Sequence, residues 1–206
     1  VLKSRQRLRA ACLTLLCGCV LAGCSSTRPP AQQEDVCLIF AEKPKWHDAA
    51  ADASKRWGTP LFVPMAMMYQ ESSFRADARP PMRYFLGVIP YGRPSTAYGY
   101  AQVKDETWAD YQRQTGNNWA SRDDFADAID FMGWYTSKTQ KVNGVSKWDA
   151  YNQYLNYHEG WGGFSRGSHL QKAWLLPVAR KVDDRSRRYS MQYKGCKDNL
   201  ASSSWF

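Results

Sequence analysis

The residue most able to do chemistry in this 206-residue chain is Glu71, in the segment Met65-Ala66-Met67-Met68-Tyr69-Gln70-Glu71-Ser72-Ser73-Phe74. An apolar run delivers one carboxylate near its end. At helical spacing Met67 and Met68 lie four and three residues before Glu71, on the same side of the helix. Apolar neighbours disfavour the ionised carboxylate and keep its proton near neutral pH. A carboxylic acid held this way can protonate a departing glycosidic oxygen. The segment alone also fits an ordinary exposed glutamate at a helix end, so the case depends on what accompanies it.

Two later segments accompany it. Ala97-Tyr98-Gly99-Tyr100-Ala101-Gln102-Val103 reads as a glycine-containing turn entering a helix, with an amide at Gln102. Asn156-Tyr157-His158-Glu159-Gly160-Trp161-Gly162-Gly163 reads as an aromatic, polar and glycine turn at a helix end. In this order the three resemble the catalytic domain of lytic transglycosylases of the soluble-lytic-transglycosylase (SLT) type. That family carries Glu-Ser-x-Phe, a Gly-Leu-Met-Gln-like block and an Ala-Tyr-Asn-Ala-Gly-like block. Here they stand as Glu71-Ser72-Ser73-Phe74, Gly99-Tyr100-Ala101-Gln102 and Asn156-Tyr157-His158-Glu159-Gly160, and the likeness covers roughly residues 45–190.

The resemblance implies a mainly α, lysozyme-like helical domain with Glu71 as acid/base. It implies that Ser72 and Gln102 line a glycan groove, and that Tyr157 helps position the carboxylate. Enzymes of this kind cut between N-acetylmuramic acid and N-acetylglucosamine in peptidoglycan and leave 1,6-anhydro ends, with no cofactor or metal. The third block departs from the pattern at His158 and Glu159. Glu159 reads either as a second carboxylate that activates water, giving a hydrolysing muramidase, or as a glutamate that faces solvent or pairs with an arginine. Trp161, beside three glycines, reads either as an exposed sugar platform or as core. A third reading is a non-catalytic envelope lipoprotein that binds peptidoglycan or a secretion apparatus.

The elements that must position these residues are mostly helical. Trp46–Trp57 is expected as a helix closed by Gly58, and Thr59-Pro60 as the cap and first position of the next, which runs through Leu61–Tyr69 to Glu71. Lys104–Gln114 is a further helix. Ser121 is expected to cap one whose apolar face is Phe125, Ile129 and Met132. Trp148–Tyr157 and Leu170–Arg188 follow, with Pro177 expected to kink or break the last. Residues 75–98, with Pro80, Pro81, Pro90 and Pro94, read as a long excursion holding a short β-hairpin. Its Pro-rich part, 79–94, is expected to shape one end of the groove or to dock a partner. There are no internal repeats and no βαβ alternation.

The chain begins with Lys3, Arg5, Arg7 and Arg9, then the apolar run Ala10–Ala22, then Leu21-Ala22-Gly23-Cys24. A basic start, a short apolar run and a small-residue site describe an export signal. The run is too short to span a bilayer. The closing tetrapeptide resembles the bacterial lipobox, which implies removal of residues 1–23 and a lipid anchor on Cys24. Ser25, rather than the aspartate that marks inner-membrane retention, points to the outer membrane, facing the periplasm. Residues 24–35 are expected as a flexible tether and 36–206 as one domain.

The formal charge is +9, of which four positive charges sit in the leader. The mildly basic remainder suits an anionic wall or lipid surface. No Lys/Arg stripe with interleaved aromatics suggests a nucleic-acid partner. Cys12, Cys17 and Cys19 leave with the leader. Cys37 and Cys196 then remain, either paired in an oxidising compartment or as free thiols. Zinc-peptidase, nucleophile-elbow and phosphate-loop motifs are absent.

Overall fold

The computed structural model describes residues 27–203. The segment expected as an export leader, with Cys12, Cys17 and Cys19, and the expected lipidation site Cys24 with Ser25, lie outside the described residues. The elements in chain order are α1 (Val36–Glu42), α2 (Pro44–Trp57), α3 (Phe62–Ser72), β1 (Arg83–Phe85), β2 (Ile89–Gly92), α4 (Asp105–Thr115), α5 (Phe125–Asn143), α6 (Ala150–Ser165), a 3-10 turn (Ser168–Gln171) and α7 (Leu175–Ser203). This is the mainly α, lysozyme-like architecture expected, with one small antiparallel hairpin.

Local chemistry accounts for most boundaries. Pro44 occupies the first turn of α2, where its missing N–H costs nothing, and Gly58 closes the helix in the left-handed conformation. Gly116 and Gly144 end α4 and α5 in the same way. Asp124, not Ser121, caps α5 by accepting from the Asp127 amide (3.1 Å). Asp127 in turn accepts from the Ser121 amide (2.8 Å), so the two carboxylates close the helix start between them.

Thr59 is not a cap either. It is buried and its hydroxyl bonds Thr136 on α5 (2.9 Å), so the chain between α2 and α3 is fastened to the centre of the fold. Pro60 stays outside α3, whose first turn carries no side-chain cap.

Helix α5 packs against α2, α6 and α3, and buries Ala128, Phe131, Met132, Tyr135 and Thr139. Around it the aromatics interlock: Trp46 stacks on Phe125 (3.9 Å between ring centroids), and Phe131 meets Trp108, Tyr111 and Trp134.

The final helix differs from expectation. It begins at Leu175 rather than Leu170, and Pro177 falls in its first turn, where amides have no intrahelical acceptor, so neither kink nor break follows. Leu175, Ala179, Val182, Ser186 and Tyr189 form its buried stripe against α3, α6 and α1. The end of the segment expected as a flexible tether, at Gln33 and Glu34, is docked against it. Glu34 pairs with Arg185 and Arg188, Tyr189 donates to the Gln33 carbonyl, and Gln192 bridges the Glu34 carbonyl and the Val36 amide. Cys37 and Cys196 are joined in a disulfide (Cα–Cα 6.1 Å) that ties α1 to the far part of α7.

Candidate functional site

Helix α3 is buried on nearly every side: Val63, Met65, Ala66, Met67 and Met68 have no solvent contact. Glu71 sits in its last turn and is half-buried. The helix stops there because Ser73 and then Phe74 adopt left-handed backbone (φ 51° and 57°), with the Ser73 amide returning to the Tyr69 carbonyl. Two successive non-glycine residues in that region are costly. The reversal sends Phe74 into the core against Trp46 and Tyr69 and leaves the Glu71 side chain at the helix end.

Burial pushes the Glu71 carboxyl up to about 7, and the Tyr154 hydroxyl, which donates to it from α6, partly opposes that rise. The negative end of the α3 dipole also disfavours the charged form. The group is therefore poised between acid and base near neutral pH. Tyr154 is itself buried and, together with the proximity of Glu71, this raises its own pKa. It remains a donor throughout the range in which Glu71 titrates.

The positioning bond thus comes from Tyr154, one turn before Tyr157. Tyr157 lies near enough to feel the Glu71 charge, and its pKa is pushed well up by burial first and by that charge second. Its hydroxyl, however, donates to the Ala101 carbonyl, so Tyr157 ties α6 to the Gly99–Gln102 turn. Tyr135 of α5 packs edge-on to Tyr157 (4.9 Å) and donates to the Asn156 carbonyl (3.1 Å). The sequence offered one signal for Tyr154: it lies three residues before Tyr157, on the same helical face.

The Gly99–Gln102 turn is built to fit closely. A Cβ at Gly99 would lie 2.0 Å from the Arg122 carbonyl oxygen, and its φ is +77°, so no other residue fits. Gln102 has φ 49° and gives its amide protons to the Ala78 (2.7 Å) and Gly99 (2.9 Å) carbonyls. Its NH2 group fastens the turn to the chain leaving α3. The first and second blocks are thereby held together, and Tyr157 adds the third.

Ser72, Glu159 and Trp161 are engaged within the domain. Ser72 is buried (4 % exposed) and its hydroxyl returns to the Met68 carbonyl (3.3 Å), one helical turn back. Glu159 neither faces solvent nor pairs with an arginine. Its side chain is 3 % exposed and bonded to Lys172 (2.6 Å), His158 (2.9 Å) and Ser168. Burial alone would raise its pKa, but the bonds from Lys172, Ser168 and His158 outweigh this and hold the carboxyl at about 2. Trp161 is not an open platform. It stacks on Tyr135 (4.5 Å), its indole N–H donates to Thr139 (2.9 Å), and Lys138 lies over its ring (4.4 Å). Gly160 (φ 71°, ψ 161°) breaks α6 just before it, which swings Trp161 back onto α5 rather than along the helix.

The chain matches the family described as transglycosylase SLT domain over residues 12–196. Neither the curated proteins nor the solved structures contain a match.

Proposed function

The chain belongs to the transglycosylase SLT family, and from that premise we propose that it is a peptidoglycan lytic transglycosylase in which Glu71 is the one acid/base. Its type of activity, transglycosylase action on peptidoglycan, follows from the family; the bond, the product and the residue are our reading. The carrying observation is the environment of Glu71: a half-buried carboxyl at the end of an apolar helix, raised to about 7 and oriented by Tyr154. In its protonated form Glu71 gives its proton to the oxygen leaving C1 of N-acetylmuramic acid. The carboxylate then accepts the proton of the muramoyl 6-hydroxyl as that oxygen closes on C1, giving the 1,6-anhydro end and restoring the acid. One group suffices because the substrate supplies the nucleophile.

Glu159 bears on the hydrolase alternative. A water-activating second carboxylate needs access to solvent and substrate, and Glu159 is enclosed by Lys172, His158 and Ser168. This favours the transglycosylase outcome. Mass spectrometry of digested peptidoglycan tests the reading: anhydromuramoyl ends support it, reducing ends assign a muramidase, and intact glycan assigns a binding protein.

We further propose that the protein is anchored to the outer membrane through lipid on Cys24, as the lipobox-like tetrapeptide suggests. A fatty-acid probe should label the wild type and not Cys24→Ala; equal labelling of both would end that idea.

A further inference from the structure

The hairpin β1–β2 buries almost nothing. Tyr84, Phe85, Leu86, Val88, Ile89 and Tyr91 are all more than half exposed, and Leu86 and Val88 at the turn reach 79 % and 74 %. Apolar side chains clustered this way on a soluble surface mark a contact site rather than chance exposure. The chemistry around the patch narrows the partner. Arg79, Arg83 and Arg93 are exposed at its base, and no acidic residue occurs between Asp77 and Asp105. An apolar and aromatic tip above a basic collar is the pattern of a segment that enters a lipid–water interface, with cations against anionic headgroups.

The position of Thr27 and Arg28 agrees. Thr27 and Arg28 line the same surface pocket as Ala76, Asp77 and Tyr98, the residues where the excursion leaves and rejoins the domain. Of the three acidic groups in that pocket, Asp123 is engaged by Tyr98 and Ser121 and Asp124 caps α5, while Asp77 is exposed. Cys24 precedes Thr27 by three residues, a reach of about 10 Å when extended. Lipid on Cys24 would therefore join the chain within that reach of Thr27.

We infer that the β1–β2 hairpin is a second membrane contact, its tip set in the interfacial region of an anionic phospholipid bilayer. The inference rests on the reading of Cys24 as acylated, which brings the domain to the surface. The lipid tethers the chain, and the hairpin fixes which side of the domain faces the bilayer.

The test uses the full exported chain, purified from membranes and reconstituted on vesicles of phosphatidylethanolamine and phosphatidylglycerol. Leu86→Cys and, separately, Val142→Cys carry an environment-sensitive fluorophore. Val142 lies at the opposite end of α5 from the Thr27 pocket, about 25 Å away along the helix. The probe at 86 should shift to the blue and be protected several-fold from aqueous iodide, while the probe at 142 stays accessible. Adding Val88→Glu and Ile89→Glu should return the probe at 86 to water. An accessible probe at 86 on vesicle-bound protein overturns the proposal. So does protection by isolated glycan strands without lipid, which would assign the hairpin to substrate. The mass of the N-terminal peptide reports acylation separately. An unacylated chain with position 86 protected sinks the anchor reading and leaves the hairpin contact standing; an acylated chain with position 86 accessible does the reverse.

Discussion

Glu71→Gln should raise stability while removing activity, and the gain should depend on pH. In the unfolded chain the carboxyl titrates near its ordinary value of 4.5, and in the folded protein at about 7. Between those values the folded state binds more protons than the unfolded state, so the native protein loses stability as pH rises from about 4.5 through 7, and the loss is complete above 7. A shift of this size corresponds to roughly 3 kcal/mol at most. Glutamine keeps the shape and can still accept from Tyr154 but carries no charge to desolvate. The variant should therefore exceed wild type by about 2–3 kcal/mol at pH 8.5, or roughly 5–10 °C in melting temperature for a domain of this size, and match it at pH 4. Thermal melts at both pH values read this directly. Peptidoglycan cleavage should fall by at least ~10²–10⁴-fold, the usual contribution of general acid–base catalysis. An equal shift in melting temperature at both pH values would refute the reasoning, because the gain would not then come from the carboxyl's charge. Full activity of Glu71→Gln would remove this residue from the chemistry.

Tyr154→Phe removes the bond that lowers the Glu71 pKa, so the alkaline limb of the pH–rate profile should move upward, by up to about one pH unit; an unchanged profile would place the positioning elsewhere. Glu159→Gln should act on stability. The carboxyl at about 2 contributes above its ordinary 4.5 and that contribution is lost as pH falls through 2. Because Lys172 is partly exposed, the variant should cost roughly 1–3 kcal/mol at pH 7 in chemical denaturation, with the folded protein's cleavage products unchanged. Replacing Cys37 and Cys196 together by Ser should cost ~2–5 kcal/mol, since the bridge closes most of the chain into one loop; a denaturation midpoint equal to wild type would show the bridge adds nothing.

What the amino-acid sequence determined by itself is local. Proline at the start of α2 and glycine at the ends of α2, α4 and α5 set their limits, because those backbone preferences need no partner. The apolar run before Glu71 already announced a carboxyl with a reluctant charge, since its three- and four-residue neighbours lie in the same helix. The Pro-rich excursion between β-prone pieces was legible as a hairpin for the same reason.

Tertiary structure decided everything that depends on which partner a side chain meets. The third motif block places Tyr154 and Tyr157 on one face of α6, but only the packing of α6 against α3 and the Gly99–Gln102 turn gives Glu71 to the first and the Ala101 carbonyl to the second. Ser72 follows Glu71 by one residue, which on a helix is a turn of about 100°, enough to bury one while the other keeps a path to solvent. The role of Glu159 stayed open in the sequence because its partners Ser168 and Lys172 are supplied by the chain after Gly160 breaks α6, and that direction change is invisible in composition. Trp161 was drawn onto Tyr135 by the same break. Charge, hydropathy and helical period specify what each residue prefers; the rotation of one helix against another specifies which preference is met.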